Sequence, residues 1–437
     1  MISKTYNYWL ILKGNLWFIP AAFCLLSFGL TFGAYYTETN YLNEFKIPSY
    51  LFKGSTDDAK SVVTTLLSAM ITMATLAISI TIVVLSLAAS QLGPRLIKSF
   101  MSDRKTKDFI GLFFGTVMAC FVLTVILHAR TAEASTPQIT ISAVLFVCLI
   151  NLFVLLGFVH HVAQSCIADN VILKVARDLK QALMRLTNQT KPYKHLKDTE
   201  KRDWPKDFDQ MSRRLFFEHS GYVQNIDYEA IVDFATEHNA RVQIKFKAGH
   251  FLVSGEDGVR LYAKTKLPED AENHIIDCFI IGQTRTPTQD IEYSIRHLVE
   301  IAIRALSPGI NDAFTAMNVL DHLSASLSLL FEKEVPSEEF FDENESLRLI
   351  AKQSNEADII FNALDQIRDN GAHMPSILRH MIQKLHILAE LANNEDAKKG
   401  LLDQAEGLKH DLEKMDRYLS DRDNLKKAIN ELIKKLS

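Results

Sequence analysis

Four stretches of this chain, residues 17–36, 62–88, 109–128 and 139–158, contain no Asp, Glu, Lys or Arg. About 20 residues of helix cross the hydrocarbon core of a bilayer, and each stretch is long enough to do so. In lipid the backbone must satisfy its own polar groups, which makes four helices the expected form. Charge divides the chain at the same place. Before residue 165 there are 11 Lys/Arg and 7 Asp/Glu, and after it 37 Lys/Arg and 45 Asp/Glu. The expected architecture is an integral membrane protein, four transmembrane α-helices followed by an α+β domain with a helical C-terminal part. Its parts are a four-span domain over 1–164, a connecting helix and linker over 165–218, a small α+β module over 219–283 and a helical domain over 284–437. The acidic second half disfavours nucleic acid as a partner.

Lys4 and Lys13 precede the first stretch as in a signal peptide, but its apolar core is too long and no A-x-A site follows, so it reads as a retained span. Tyr6, Tyr8, Trp9 and Trp17 on one side of it, and Tyr35, Tyr36 and Tyr41 on the other, fit interfacial belts. The segment 89–108 carries Arg95, Lys98, Arg104, Lys105 and Lys107, whereas the next loop has only Arg130. Lys46, Lys53 and Lys60 of the first loop are spread out and offset by acids. The positive-inside rule then puts 89–108, both termini and everything after 158 in the cytoplasm.

The second span is set apart by Ser68, Thr72, Thr75, Ser79, Ser86 and Ser90, whose spacing places the hydroxyls on one helix face, interrupted by Ile82 and Val83. One reading is a pore-lining face with a hydrophobic constriction. The other is close helix packing, which small hydroxyl residues also favour. Gly111, Gly115 and Ala119 give the third span a small-residue face that admits another helix closely. Asn151 in the fourth span calls for a hydrogen-bond partner, and His160–His161 close that span at the interface. Without Asp, Glu, Lys or Arg inside the stretches, proton-coupled transport and voltage sensing are disfavoured. Cys24, Cys120, Cys148, Cys166 and Cys278 form no CxxC pair and read as small buried hydrophobes.

In the second half, 165–190 has helical periodicity and 191–208 is polar. Strands are expected at 221–227, 241–247, 251–254 and 275–281, with a helix at 228–236, in a module resembling a partly open barrel. From 284 the pattern is helical. Thr286-Pro287-Thr288-Gln289 fits a capping box with proline at the first helical position. Ser307-Pro308-Gly309 stops that helix, and Asn311-Asp312 caps a second one from Ala313. Further on, Ile377, Leu378, Met381, Leu385, Leu388 and Leu391 form a stripe. Ala405, Leu408, Leu412, Met415 and Leu419 form a seam of about two heptads, short for a coiled coil and suited to packing within its own domain.

The segment 304–316, Arg-Ala-Leu-Ser-Pro-Gly-Ile-Asn-Asp-Ala-Phe-Thr-Ala, resembles a motif of the bacterial membrane-protein family called domain of unknown function 2254. So do Gln91-Leu-Gly-Pro-Arg95, Ser220-Gly-Tyr-Val-Gln-Asn-Ile-Asp227 and Gly282-Gln-Thr-Arg-Thr-Pro-Thr-Gln-Asp290, in the same order. The family usually has proline where this chain has Ala313. The resemblance implies a bacterial inner-membrane protein and brings no activity with it.

Two sets of candidate site residues follow. Ser68, Thr72, Thr75, Ser79, Ile82, Val83 and Ser86 are pore-lining candidates. Arg285, His297, Glu300, Arg304, Asn311 and Asp312 are candidates for a ligand pocket near the helical hairpin. No catalytic constellation, metal set or cofactor motif stands out. The expected partners are the bilayer, further copies of the chain, and an ion or small ligand. The expected function is an oligomeric channel lined by the second span and gated by the cytosolic domain, with a membrane-anchored sensor or scaffold as the alternative.

Overall fold

The computed structural model describes residues 17–41, 52–101, 103–130, 136–188, 204–332, 335–414 and 422–436. The belt residues Tyr6, Tyr8 and Trp9, the basic residues Lys4, Lys13 and Lys46, most of the linker and the seam residues Met415 and Leu419 lie outside them. The chain divides into two compact units, Met1–Val171 and Ile172–Ser437.

The first unit is a helical bundle of α1 (Phe18–Tyr41), α2 (Thr56–Leu92), the short α3 (Arg95–Met101), α4 (Arg104–Ala129) and α5 (Gln138–Gln164). Four of these, α1, α2, α4 and α5, are long and apolar enough to cross a membrane. The central helix is α4, against which the other three pack. Its small face receives α1: a methyl group on Gly111 would stand 2.8 Å from the Phe23 ring, and one on Gly115 2.8 Å from Ser27 Oγ. On another side, Asn151 of α5 donates to Thr116 Oγ1 at 2.6 Å, which gives the buried amide its partner. Phe113 and Phe158 meet edge to face nearby. Cys120 and Cys148 are buried with their sulfurs 3.6 Å apart.

Both ends of the bundle are fixed by caps. Ser55 and Asp58 form a capping box at the start of α2. The first helix runs five residues past the charge-free stretch, and this brings Glu38 into the bundle. Its carboxylate accepts from Ile139 N and from Thr140 N and Oγ1 at 2.6–2.8 Å, at the start of α5. At the other end of α4, Asp103 caps Thr106 N at 3.1 Å and meets His161 Nε2 at 3.0 Å. His161 is thus tethered, whereas His160 is exposed. Lys107, expected as a loop charge, is on α4 with its side chain buried.

The second unit begins on α6 (Ala168–Asn188), followed by α7 (Phe208–Met211), β1 (Arg213–Leu215), β2 (Gly221–Ile226) and α8 (Tyr228–Glu237). Next come β3 (Arg241–Ile244), β4 (Phe251–Leu252), β5 (Val259–Tyr262), α9 (Ala271–Asp277) and β6 (Phe279–Gly282). The helical hairpin α10 (Ile291–Leu306) and α11 (Ala313–Phe331) leads into β7 (Glu339–Phe341) and β8 (Leu347–Ala351). Four helices end the described chain: α12 (Glu356–Gly371), α13 (Pro375–Leu391), α14 (Glu395–Lys414) and α15 (Arg422–Leu436). The strands form two sheets, ordered β1-β5-β3-β8-β7 and β4-β2-β6, in place of the expected open barrel. Among the described strands only β3 and β8 pair in parallel, Val242 facing Leu349. Ile226, Ile231, Val242, Ile244, Leu261, Ile275 and Leu349 close one core between sheets and helices.

Three expectations are corrected here. The segment after 284 is not wholly helical, because 339–351 folds as a hairpin whose second strand completes the sheet begun by β3. The run 275–281 splits into the end of α9 and the start of β6. The helix of the capping box starts four residues after proline, with Asp290 as its cap, accepting from Tyr293 N at 3.1 Å. The reason is that Gln289 is engaged elsewhere. Its side-chain amide pairs with both Ile226 N and Ile226 O, extending the edge of β2 as a strand would.

Candidate functional site

In the second unit a cleft forms where backbone elements end together. The chain leaves the carboxyl ends of the parallel strands β3 and β8 there, at Lys247–Ala248 and Gln353–Ser354. The first residues of α8 and α10, Tyr228 and Ile291, face the same space. Crevices at the carboxyl ends of parallel strands are the usual place for ligands in α/β sheets. The cavity measures about 50 Å³, and Leu183, Leu330 and Ile359 supply an apolar wall.

Its polar wall is neutralised within itself. Lys247 Nζ donates to the Glu292 carboxylate and, at 2.8 Å, to Ser354 Oγ, which donates to Glu292 Oε1 at 3.1 Å. Arg285 grips Asp290 with two bonds of 2.6 and 2.8 Å. The turn before β4 is held against this pair by Gly249, whose φ is +87° and whose backbone leaves no room for a Cβ beside the Asp290 carboxylate. Burial pushes the Tyr228 phenol up to about 12, the Gln353 amide beside it acting the other way, so the hydroxyl keeps its proton at neutral pH. The Gln353 Nε2 group is buried beside that hydroxyl, and beyond the Tyr228 oxygen no acceptor among the described residues lies within reach of its second N–H.

The six ligand candidates read from the sequence do not form one pocket. Arg285 stands beside the cleft through Asp290. Asn311 and Asp312 lie beyond the other end of α10, whose 16 residues span roughly 22 Å. There, Asn311 takes a left-handed conformation, φ 53°, that ends the turn after α10. Asp312 caps α11, accepting from Thr315 N at 3.1 Å and Thr315 Oγ1 at 2.6 Å. The Thr315 hydroxyl, with help from the backbone, holds the Asp312 carboxyl below the usual range. Glu300 and Arg304 form a half-exposed pair at 3.6 Å on α10, and His297 is buried on the same helix. Sequence reading missed Tyr228, Lys247, Glu292, Gln353 and Ser354. The available signals were Ala248-Gly249 as a sharp turn and Asp290 as a cap, and neither points to a cavity on its own. No group of three or more His, Cys, Asp or Glu suited to a metal occurs among the described residues.

In the first unit, the pore-lining candidates share one face of α2. Ser68, Thr72, Thr75, Ser79, Ile82, Val83 and Ser86 are all exposed there. The bundle instead takes the opposite face, through Ala59, Val63, Met70, Ala74, Ala77, Thr81 and Ala88. Ser68, Thr72 and Thr75 donate to the carbonyls of Thr64, Ser68 and Ile71 at 2.9–3.1 Å. Ile82 and Val83 interrupt the hydroxyls at 61% and 66% exposure, and Ile71, Leu76 and Leu87 are exposed on the same helix.

Four helices long and apolar enough to cross a membrane, followed by a mixed helix-and-sheet unit, are the architecture of a membrane protein with four candidate spans. The chain belongs to the family described as Predicted membrane protein (DUF2254), whose model matches residues 13–386. It is 26% identical over 384 residues to Uncharacterized protein MT1328 of Mycobacterium tuberculosis, covering 87% of this chain and 72% of the relative. The same figures hold for Uncharacterized protein Mb1321c of Mycobacterium bovis. No solved structure matches.

Proposed function

We propose that the protein is an oligomeric channel of a bacterial inner membrane, in which the hydroxyl face of α2 from each copy lines the path. The observation that carries this reading is the direction of that face. It points away from the chain's own bundle, so packing within one chain does not account for its hydroxyls. Threonine and serine hydroxyls bonded to their own helix keep a lone pair for water or for a neighbouring copy. Ile82 and Val83 then form the constriction that gates by expelling water. The basic segment 89–108 supports a cytoplasmic placement of that loop, of both termini and of the second unit, which acts on the pore from there. The partners in this reading are lipid, further copies of the chain and a permeating ion, and no catalysis is involved.

The test is the mass of the purified protein in detergent together with recordings in planar bilayers. An oligomer that conducts supports the channel. A stable monomer with silent membranes overturns it. The cleft in the second unit supports a second reading, a membrane-anchored sensor, which predicts silent membranes in any oligomeric state.

A further inference from the structure

The cleft at the carboxyl ends of β3 and β8 combines balanced charge with an unused donor. Lys247 is committed to Glu292 and Ser354, and Arg285 to Asp290. An entering anion would meet two carboxylates and no uncommitted cation, and would lose its hydration in exchange. An entering cation would have to displace Lys247 or Arg285 from partners already desolvated with them. A purely apolar guest would leave the second N–H of Gln353 Nε2, the one not turned to Tyr228, buried and without an acceptor, which is costly. Tyr228 adds a second donor, neutral because its phenol titrates near 12. Both residues line the cleft together with Leu183, Leu330 and Ile359.

We propose that this cleft binds a small uncharged molecule bearing an acceptor oxygen, such as an amide, urea or ketone, with the oxygen taken by Gln353 Nε2 and the Tyr228 hydroxyl and the apolar remainder against the leucine–isoleucine wall. A cavity of about 50 Å³ holds roughly three or four water-sized groups, the size of the smallest amides. The residues come from separate places in the chain: α6 with Leu183, the start of α8 with Tyr228, α11 with Leu330, the turn after β8 with Gln353, and α12 with Ile359. A bound molecule therefore ties α6, the helix that follows the fourth span in sequence, to the sheet. The site does not depend on the pore reading, and its test involves no current.

The experiment uses the full chain in detergent micelles and two probes of equal shape, acetamide and acetate, observed by saturation-transfer NMR. Acetamide should bind saturably in the millimolar range, and acetate at least tenfold more weakly. Gln353→Leu and Tyr228→Phe should each weaken acetamide about tenfold, the effect of one lost hydrogen bond. Acetate binding as tightly as acetamide would overturn the proposal without reference to any variant. So would the absence of saturable acetamide binding, or folded variants that bind acetamide like the parent.

Discussion

Glu38, near the end of the first span, caps the start of the fourth: its Oε2 accepts from both the backbone N–H and the hydroxyl of Thr140, at 2.8 and 2.6 Å. The Glu38 side chain is buried, and Oε1 takes Ile139 N as well. A carboxylate at a helix N-terminus is favoured by the unsatisfied N–H groups and by the helix dipole. Glu38→Ala should therefore lower the stability of the bundle by about 2–3 kcal/mol, leaving buried N–H groups bare. Glu38→Gln should cost less, since the amide oxygen still accepts. Thermal melting of the detergent-solubilised protein checks the order, and equal loss in the two variants would contradict the capping role.

Gly249 predicts a second sensitivity. At φ +87° it occupies backbone space that L side chains rarely enter, and a Cβ would stand 2.6 Å from Asp290 Cγ and 2.7 Å from Arg285 Nη2. Gly249→Ala should destabilise the second unit by about 2–4 kcal/mol, strain and overlap acting together. Gly255 has a similar φ, +83°, but open space around it. Gly255→Ala should cost about 1 kcal/mol, from conformation alone. Comparing the two melting curves separates crowding at the Arg285–Asp290 pair from backbone strain.

These two positions mark where sequence reading stops. The spans were legible because four charge-free stretches of sufficient length are a local property. The α10–α11 hairpin was legible because apolar spacing and the Asp312 cap are local too. Glu38 was not, because its partners lie 101 and 102 residues away, at the start of another helix. The strand β8 was not either: its residues are buried on both sides of the sheet, and without alternation a parallel inner strand leaves no period-two signal. The cleft depends on that pairing, since Lys247 and Ser354 meet across 107 positions of chain. Arg285 and Asp312 look adjacent on a sequence of capped helices, yet α10 holds them apart at its two ends.

The hairpin cap gives a third prediction. Asp312 accepts from the backbone and side chain of Thr315, and α11 begins at Ala313. Asp312→Ala should cost about 1 kcal/mol. Ala313→Pro, which restores the residue usual in the family, should be neutral or slightly stabilising, because the first helical position needs no N–H and favours a φ near −65°. Denaturant unfolding monitored on the second unit's signal checks both. Marked destabilisation by Ala313→Pro would show that α11 starts elsewhere.

The last prediction addresses the pore. Ile82 and Val83 sit among Ser68, Thr72, Thr75, Ser79 and Ser86 on one side of α2, and all of these are exposed on a single copy. If copies assemble around that face, Ile82 and Val83 form its driest level, where a narrow apolar ring excludes water and blocks ions. Ile82→Ser and Val83→Ser should then raise leak current several-fold in planar bilayers, with little change in melting temperature, because neither side chain packs inside the bundle. Substituting Ala77, which is buried against the bundle, with leucine should instead lower stability through overpacking. If the face met lipid alone, the serine variants would conduct no more than the parent. The contrast between Ile82→Ser and Ala77→Leu therefore tests which side of α2 faces water, independently of what opens the channel.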